Sequence, residues 1–465
     1  MLPLIGGTAK LALSEGTIAA YLPAVLARTR PSNESARFQP SPNLPRFAIS
    51  MPDLVIDVSR LVGRRLRKRL PTGIDRVGLA YLRHYGDRAQ AALVIGSRAI
   101  VLPRDPSRRV FDQLLLPVGK AGMLPALIHG AVRSPVRADV AGCWFLNTGH
   151  TGLHRPGYEA MLRHLGVRPL FVVHDLIPIT HPQYCRAPEA VLHSRRMALV
   201  VRTAAAAVCN SCATFNDLAD FAQRLDATLP PAAVAPLAAE PPLSIADEPR
   251  PIADPYFLML GTIEPRKNHL LMLHVWQRLA ERLGERTPRL VLIGQPGWEC
   301  EHVMRMLERA PALRRHVQRH EQCSDTDLHR WLRHAQALLF PSFTEGFGLP
   351  VLEALQSGVP VIAADLPVYR EFAGNHPEYL DPLDVSGWLE AVDAYRDSGN
   401  RRRARRVEAL AGFRGPTWAE HFARVDDLMH RIDSPSRAGS PPVRHTTALA
   451  FAATPADGIL GAGHD

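Results

Sequence analysis

The sequence predicts an α/β protein of two domains, each with a doubly wound, mostly parallel sheet. Three observations support this prediction. Short runs that are apolar throughout alternate with segments of helical periodicity, a pattern typical of parallel strands buried on both faces. The alternation occurs in each half of the chain. A proline-rich stretch without periodicity separates the two halves.

The strands and helices can be assigned from these patterns. The predicted strands are LVIDV, ALVIG, CWFLNTG, PLFVVHD and AAVCNS in the first half, and YFLMLG, RLVLIG, ALLFPS and PVIAA in the second. Among the helices, HLLMLHVWQRLAERLG has the clearest apolar stripe, formed by Leu270, Leu271, Val275, Leu279 and Leu283. Gly284 is expected to end this helix. Open sheets of this kind bind ligands at the carboxyl ends of their strands, so the two domains should face a central cleft.

Changes in composition divide the chain into segments. Both ends are rich in residues typical of flexible or disordered chain. The prolines of LPPAAVAPLAAEPPLSIADEPRPIADP mark a linker between the domains. The predicted division is a flexible extension over 1–50, a first domain over 51–235, a linker over 236–254, a second domain over 255–410, a closing helix over 411–433 and a disordered tail over 434–465.

The overall composition is that of a globular protein with an excess of positive charge. Apolar residues make up 46% and charged residues 22% of the 465 residues, and the formal net charge is +10. Proteins that bind nucleic acids, anionic membranes or phosphorylated substrates share such an excess, but a chain rich in Arg also produces it without a ligand. No nucleic-acid-binding motif accompanies the charge. No uncharged apolar run of about 18 residues is present, so no membrane span is predicted and a cytoplasmic protein is expected.

The cysteines do not predict a disulfide framework, because only six are spread over a long chain. Cys209 and Cys212 form a C-x-x-C pattern, but no second pair of Cys or His lies at zinc-finger spacing. Their position at the end of an apolar run favours buried structural thiols over a metal or redox site.

The stretch SFTEGFGLPVLEALQSGVPV, residues 342–361, contains two glutamates in a predicted loop and helix. Pro350 suits the first turn of that helix and Gly358 its end. Glu345 then lies in the loop and Glu353 on the helix, both at the ligand-binding end of the sheet. The glycines allow the backbone to approach a ligand, and the helix N-terminus offers N–H groups to an anion. A metal site would require more ligands within one short loop.

A second cluster, LGTIEPRKNH, follows the predicted strand YFLML. Arg266 and Lys267 lie there at a strand-to-helix turn, where adjacent cations suit a diphosphate. The alternative is that both are solvated residues at the start of a helix. A helix N-terminus favours acids over cations, which strengthens the ligand interpretation.

These motifs resemble those of the retaining glycosyltransferases of family 4, which have the GT-B fold. The resemblance rests on GTIEPRKN, LVLIGQPGW and DLHRWLRHAQALLFPSFTEGFGLPVLEALQSGVPVIAAD, and covers most of residues 255–400. It continues more weakly with DVSR, PTGIDRVGLAYL, FVVHDLIPITHP and AAVCNSCAT in the first half. The combination is most similar to the mannosyltransferase-type members that build bacterial surface polysaccharides. It implies two Rossmann-like domains facing a central cleft, with the closing helix returning to the first domain.

The resemblance also implies roles for individual residues. Glu353 matches the residue that holds the ribose hydroxyls of the nucleotide, while Glu345 and His174 match residues near the transferred sugar and are the predicted catalytic residues. The other predicted donor-binding residues are Gly73, Gly261, Arg266, Lys267, Gly346, Phe347, Gly348 and Leu349. Many relatives have an arginine where this chain has Thr262, so charge neutralisation would rest on Arg266 and Lys267.

Other features have two interpretations each. Asp175 either orients the ring of His174 or caps a turn. His150, in NTGHTGL, is a candidate for a substrate contact, although a lone loop histidine is usually solvated. The basic runs RRLRKRL (64–70) and RRRARR (401–406) are interpreted as solvated faces. For the first run the alternative is an anionic membrane or a lipid diphosphate.

The predicted function is a metal-independent transfer of a hexose from a nucleotide-diphosphate sugar to a growing glycan on a lipid carrier, at the inner membrane face. GDP-mannose is the leading donor by resemblance. No cofactor or metal is expected, because basic side chains and a helix N-terminus can stabilise a leaving diphosphate. Glu345 is not predicted to be a nucleophile, since the two carboxylates of glycoside hydrolases must flank the scissile bond.

Four alternatives remain at this point. A nucleotide-sugar epimerase and a glycogen-synthase-like enzyme would share the fold. A catalytically inactive GT-B scaffold would share the fold without the chemistry, although the glutamate pair and the two cations argue against it. A basic nucleic-acid-binding protein is suggested by the net charge alone.

Overall fold

The chain folds into two α/β domains followed by a helix that returns to the first. The computed structural model describes residues 54–434, apart from 118–119, 121, 134–138 and 241–248. The predicted extension over 1–50 lies outside the described residues. The predicted tail over 434–465 also lies outside them, except for its first residue. The same is true of the middle of the predicted linker.

The first domain is built on one sheet. Its strands are β1 (Leu54–Asp57), β2 (Ala89–Ile95), β3 (Arg98–Val101), β4 (Trp144–Asn147), β5 (Arg168–Val173), β6 (Ala206–Cys209) and β7 (Ala232–Val234). Its helices are α1 (Ser59–Leu66), α2 (Gly73–Tyr85), α3 (Arg104–Leu115), α4 (Leu124–Arg133), α5 (Tyr158–Leu165), α6 (Ile177–Thr180), α7 (Ala187–Thr203) and α8 (Cys212–Arg224). The strand order is β3-β2-β1-β4-β5-β6-β7, and only the edge pair β2 and β3 is antiparallel.

Both faces of this sheet are covered, which explains why its central strands are mostly apolar. Leu54 and Ile56 of β1 pack into the core on one face, whereas Val55 packs into the core on the other. This alternation follows from the pleat of a strand, which directs successive side chains to opposite faces.

The second domain repeats the arrangement. Its strands are β8 (Tyr256–Leu260), β9 (Arg289–Ile293), β10 (Val317–His320), β11 (Leu338–Phe340), β12 (Val361–Ala364) and β13 (Glu378–Leu380). Its helices are α9 (His269–Leu283), α10 (Glu301–Arg309), α11 (Pro311–His316), α12 (Asp325–Arg333), α13 (Leu349–Gln356), α14 (Pro367–Ala373), α15 (Val385–Tyr395) and α16 (Arg401–Ala409). The order β10-β9-β8-β11-β12-β13 is parallel throughout. The helix predicted from HLLMLHVWQRLAERLG is α9, and it ends at Gly284, which has a φ of 55°.

The last helix, α17 (Trp418–Asp433), follows the second domain in sequence but packs on the first. Its first turn is fixed by a capping box between Thr417 and Glu420. The hydroxyl group of Tyr85 on α2 donates a hydrogen bond of 3.0 Å to Asp426 of α17. The connection from the second domain therefore ends on the surface of the first.

Two further predictions can be compared with the described residues. Within this part of the chain, no helix combines the length and the apolar character needed to cross a bilayer. The cysteines are free thiols. Cys209 is buried as predicted, but Cys212 is exposed at the first position of α8, so the prediction of a buried thiol is wrong there.

Candidate active site

The two sheets direct their switch points toward the boundary between the domains. The strand order reverses between β1 and β4 in the first sheet and between β8 and β11 in the second. Ligands of open α/β sheets bind in the crevice at such points. The segment 342–348, here called the cleft loop, leaves β11 and reaches the backbone of His174 at the end of β5. This boundary is the candidate active site.

The cleft loop leads directly into α13. Gly348 is the N-cap residue of that helix, and its φ of 104° lies in the region that favours glycine. A Cβ atom at Gly348 would also lie 2.6 Å from Cε1 of Tyr369. Leu349 is the first helical residue and Pro350 follows it in the first turn, as the sequence predicts. The N-terminus of α13 is therefore held next to the cleft loop, where it favours an anion.

Glu345 forms ion pairs with both cations that the sequence predicts as diphosphate ligands. Its Oε2 lies 2.6 Å from Nη1 of Arg266, and its Oε1 lies 2.5 Å from Nζ of Lys267. Burial alone would raise the pKa of Glu345, but the two cations outweigh burial and hold the pKa at about 2. Glu345 is therefore ionised at neutral pH and cannot act there as a proton donor.

Arg266 and Lys267 lie in one 3-10 turn, Pro265–Lys267, against the cleft loop. Arg266 also pairs with Glu264 at 2.7 Å and donates a hydrogen bond of 3.0 Å to the carbonyl oxygen of Thr344. Burial lowers the pKa of Lys267, although Glu345 opposes this effect. The cluster of Arg266, Lys267, Glu264 and Glu345 carries no net formal charge. The N-terminus of α13 adds a positive potential for an anionic ligand.

Glu353 of α13 is bound by an arginine of the first domain. Nη1 of Arg76 lies 2.6 Å from Oε1 of Glu353, and Nη2 lies 3.1 Å from Oδ1 of Asp325. The Glu353 side chain is only 15% exposed. Burial raises the pKa of Glu353, and Arg76 opposes the rise.

His174 lies just after β5 with its ring held in one tautomer. Nε2 lies 2.7 Å from the carbonyl oxygen of Thr148, which can only accept, so Nε2 carries the hydrogen. Burial lowers the pKa of His174, and the ring is therefore neutral at pH 7. Nδ1 consequently carries a lone pair that can accept a hydrogen bond. The backbone carbonyl of His174 accepts hydrogen bonds from Asn210 at 2.9 Å and Thr214 at 3.3 Å.

The other predicted donor-binding residues lie along the same boundary. Gly73 begins α2, and a Cβ atom there would lie 3.6 Å from Cδ1 of Leu349 across the cleft. Gly261 follows β8 with a φ of 134°, beside the side chain of Lys267. Phe347 is buried and stacks on Phe372 at 4.7 Å, so its side chain belongs to the core and only its backbone faces a ligand.

The structure also decides the interpretation of two weaker features. His150 is 8% exposed and packs against the rings of His174 and His193, so the expectation of a solvated histidine is wrong. Asp175 accepts a hydrogen bond of 3.1 Å from the backbone N–H of Ile177. This contact supports the interpretation that Asp175 caps a turn.

Sequence reasoning missed three residues that connect the domains. Arg76 binds Glu353 as described above. Ser211 donates a hydrogen bond of 3.2 Å to the carbonyl oxygen of Gly346, and Glu371 accepts one of 2.6 Å from the backbone N–H of Cys212. Ser211 could have been found, because it is the last residue of the predicted strand AAVCNS, at the ligand-binding end. Arg76 and Glu371 carry no such signal, since their partners are 277 and 159 positions away.

Residues 244–406 match the family model described as glycosyl transferases group 1. The matched range includes the cleft loop, Arg266, Lys267 and Glu353. The match covers most of the second domain. The recognition made from the sequence motifs is confirmed for this part of the chain.

Relatives are found among bacterial mannosyltransferases. The chain is 34% identical over 161 residues to the serotype-specific mannosyltransferase WbdA of Escherichia coli. The aligned region covers 34% of this chain and 20% of WbdA. It is 37% identical over 140 residues to the O-antigen chain mannosyltransferase B of Escherichia coli. This alignment covers 30% of this chain and 35% of that enzyme. The chain thus spans only a fifth to about a third of the length of these relatives.

Solved structures extend the similarity to both domains. Anabaena HepE in complex with UDP aligns over 82% of this chain and all of that chain, with a TM-score of 0.55 at 14% identity. A UDP-forming α,α-trehalose-phosphate synthase from Burkholderia xenovorans aligns over the same shares, with a TM-score of 0.54 at 12% identity. At such low identity the alignments show the fold alone, and that fold is GT-B, as predicted.

Proposed function

We propose that the protein is a retaining glycosyltransferase. It transfers a hexose from a nucleotide-diphosphate sugar to a glycan or lipid-linked acceptor during the synthesis of a cell-surface polysaccharide. One observation supports this most directly. Glu345 on the cleft loop, paired with Arg266 and Lys267, and Glu353 on α13, paired with Arg76, both lie at the domain boundary within the range that matches the group 1 glycosyltransferases.

Each part of the donor has a matching group in this arrangement. Glu353 accepts hydrogen bonds from the ribose hydroxyls. The backbone N–H groups of Gly346, Phe347 and Gly348, with the N-terminus of α13, bind the diphosphate. Lys267 and Arg266 stabilise the charge that develops when the diphosphate leaves. Because Glu345 pairs with both cations, a bound diphosphate shares them with this carboxylate, and Glu345 fixes their position.

The proposed reaction exchanges one bond for another at the anomeric carbon of the donor. The bond between this carbon and the diphosphate oxygen breaks, and the acceptor hydroxyl oxygen forms the new bond with retention of configuration. The hydroxyl proton leaves with the departing diphosphate. His174, neutral with Nδ1 as an acceptor, hydrogen-bonds a hydroxyl of the transferred sugar. We propose that fixed cations and backbone dipoles perform the charge stabilisation without a metal ion.

The choice of donor and acceptor rests on the relatives. Several are named mannosyltransferases, two of them O-antigen chain mannosyltransferases, which supports mannose and GDP-mannose. The aligned structures instead contain UDP or are named UDP-forming, so UDP-sugars are the alternative donors. A lipid-linked acceptor would place the reaction at the inner face of the membrane.

A basic loop supports peripheral contact of the first domain with an anionic membrane. Arg64 and Arg65 of the run 64–70 are bound within the protein, by Asp75 and by backbone carbonyls. Arg67, Lys68 and Arg69 are exposed, and such residues attract anionic lipids. In the second basic run, Arg402, Arg403 and Arg406 bind Glu378 or backbone carbonyls, so that run is largely structural.

The decisive experiment combines a nucleotide-sugar panel with a transfer assay. Thermal shifts with GDP-mannose, UDP-glucose and related sugars identify the nucleotide, since a bound ligand raises the melting temperature. With the stabilising donor, a lipid-linked glycan and EDTA, the purified protein should release the nucleoside diphosphate and extend the glycan. Absence of transfer under these conditions with every donor would overturn the proposal. Tight binding of random DNA that resists salt would instead favour the nucleic-acid alternative.

A further inference from the structure

Arg76 connects the first domain to two acidic residues of the second. Its guanidinium group binds Glu353 through Nη1 at 2.6 Å and Asp325 through Nη2 at 3.1 Å. The two acids lie on different helices, Glu353 on α13 and Asp325 on α12. The contact with Glu353 is the more buried of the two, since the Asp325 side chain is 77% exposed and the Glu353 side chain 15%. The pair with Glu353 therefore determines the direction of Nη1.

The placement of Arg76 is fixed from within the first domain. It lies in the first turns of α2, which begins with a capping box between Thr72 and Asp75. Asp75 is buried and in turn binds Arg60 at 2.7 Å and Arg64 at 2.7 Å. A movement that separates the two domains would therefore carry the backbone of Arg76 away from Glu353.

Glu353 has few other groups to stabilise its charge. Among the described residues, the charged or titratable groups that face it are Arg76 on α2 and Asp325 and His329 on α12. Its own helix, α13, has no other charged side chain. A buried carboxylate without a cation is easily protonated, and a protonated carboxyl is a poorer acceptor for two ribose hydroxyls.

We propose that Arg76, reaching across the domain boundary, is a positioning residue of the nucleotide site, which keeps Glu353 ionised and directed. The inference rests on the proposed function, because it assumes that Glu353 binds the ribose.

The test measures the affinity for GDP and UDP by calorimetry. The proteins are the wild type and the variants Arg76→Ala, Arg76→Lys and Arg83→Ala. Arg83 is the matched control, because it lies on the same helix and pairs with Glu240 on an exposed surface. Arg76→Ala should weaken binding of the preferred nucleotide about tenfold, since a buried carboxylate loses its cation. Arg76→Lys should restore part of the affinity, and Arg83→Ala should leave it unchanged.

The pH dependence separates a role through Glu353 from a merely structural one. Removing Arg76 raises the pKa of Glu353 further, so the affinity of Arg76→Ala should recover as pH rises and Glu353 loses its proton. The ratio of wild-type to variant affinity, measured from about pH 5 to about pH 8, cancels the titration of the phosphate groups, whose second pKa is about 6. That ratio should fall as pH rises.

Each outcome has a distinct meaning. If wild-type protein binds neither nucleotide, the proposed function itself is wrong, and this inference falls with it. If the wild type binds and folded Arg76→Ala binds equally well, or more tightly, only this inference is overturned. A weakened variant whose affinity ratio does not change with pH would also overturn it, because Arg76 would then act on the fold rather than on Glu353.

Discussion

Gly346 of the second domain lies directly against the backbone of His174 in the first. A Cβ atom built on Gly346 would be 2.3 Å from the carbonyl oxygen of His174, a distance at which the backbones must separate. The cleft loop and the end of β5 can therefore meet only because residue 346 has no side chain. His174 and Glu345, the two predicted catalytic residues, are brought to the same boundary by this contact.

The variant Gly346→Ala should consequently prevent full closure of the cleft. We expect kcat to fall on the order of 100-fold, because misplacement by about 1 Å is enough to cause such a loss. Nucleotide affinity should change much less, since the second domain retains most of its contacts with the donor. Gly412→Ala is the control, because a Cβ atom there meets no other atom within 4 Å. Equal activity of both variants would contradict the prediction.

Glu371 should stabilise the closed arrangement from the opposite side of the cleft loop. Its carboxylate accepts hydrogen bonds of 2.6 and 2.9 Å from the backbone N–H groups of Cys212 and Ala213, at the N-terminus of α8. Glu371→Ala removes both bonds and should weaken closure by about 2 kcal/mol. Small-angle scattering of the unliganded variant should show a larger radius of gyration than the wild type. Glu371→Gln, which keeps one acceptor, should give an intermediate value, and an unchanged radius in both would refute the role.

Glu345 should contribute to stability in a pH-dependent manner. Glu345→Gln leaves two buried cations without their shared partner, and should lower the free energy of unfolding by about 3 kcal/mol near neutral pH. The pKa of Glu345 is held at about 2 instead of 4.5. Its stabilisation is therefore complete above the ordinary pKa and is lost as pH falls from there toward 2.

The measurement is urea unfolding of the wild type and Glu345→Gln from about pH 6 to about pH 3. The difference between the two proteins should shrink by about 2 kcal/mol over this range. Glu390→Gln, on the exposed surface of α15, serves as the control and should match the wild type throughout. A difference that stays constant with pH would mean that the ionised form of Glu345 is not what stabilises the domain.

Acid should loosen the docking of α17 through His421. Nδ1 of His421 faces the carbonyl oxygens of Ala235 and Pro236 and must carry the hydrogen, so Nε2 accepts from the hydroxyl group of Tyr81 at 3.0 Å. Burial lowers the pKa of His421 to about 4 from 6.5. The neutral ring thus stabilises the fold fully above pH 6.5, and this contribution is lost as pH falls through that value toward 4.

His421→Gln should remove this part of the acid sensitivity. The difference in melting temperature between the wild type and the variant should be largest above about pH 7 and should narrow toward about pH 4. Tyr81→Phe offers a second test, because it deletes only the donor to Nε2. Without this donor the neutral ring is less favoured, so the pKa of His421 should rise and α17 should loosen at a higher pH than in the wild type. An unaltered pH profile would show that the Tyr81 bond does not hold His421 neutral.

The central part of the fold could be predicted from the sequence. All nine predicted strands are present, because each is covered on both faces and is therefore mostly apolar. The strands β3, β7, β10 and β13 were not predicted. They lie at the edges of the two sheets, where fewer apolar side chains are needed, and β10 reads VQRH.

The parts of the site that depend on residues close together in sequence were predictable. The turn at Gly348 and the helix after it follow from glycine and proline at positions that require them. The partners of the charged residues were not predictable, because they depend on how the chain folds in three dimensions. Glu345 faces Lys267 and Arg266 within one domain, whereas Glu353 faces Arg76 across the boundary. Spacing along the chain contains no information about such pairs.

The return of α17 to the first domain has a consequence for the order in which the protein is made. Domains generally fold as units as they leave the ribosome. Here Tyr81 and Tyr85 on α2 remain uncovered until His421 and Phe422, more than three hundred residues later, have been synthesised. The first domain to be translated is thus the last to be finished, and a chain interrupted before α17 exposes an aromatic surface to which chaperones can bind.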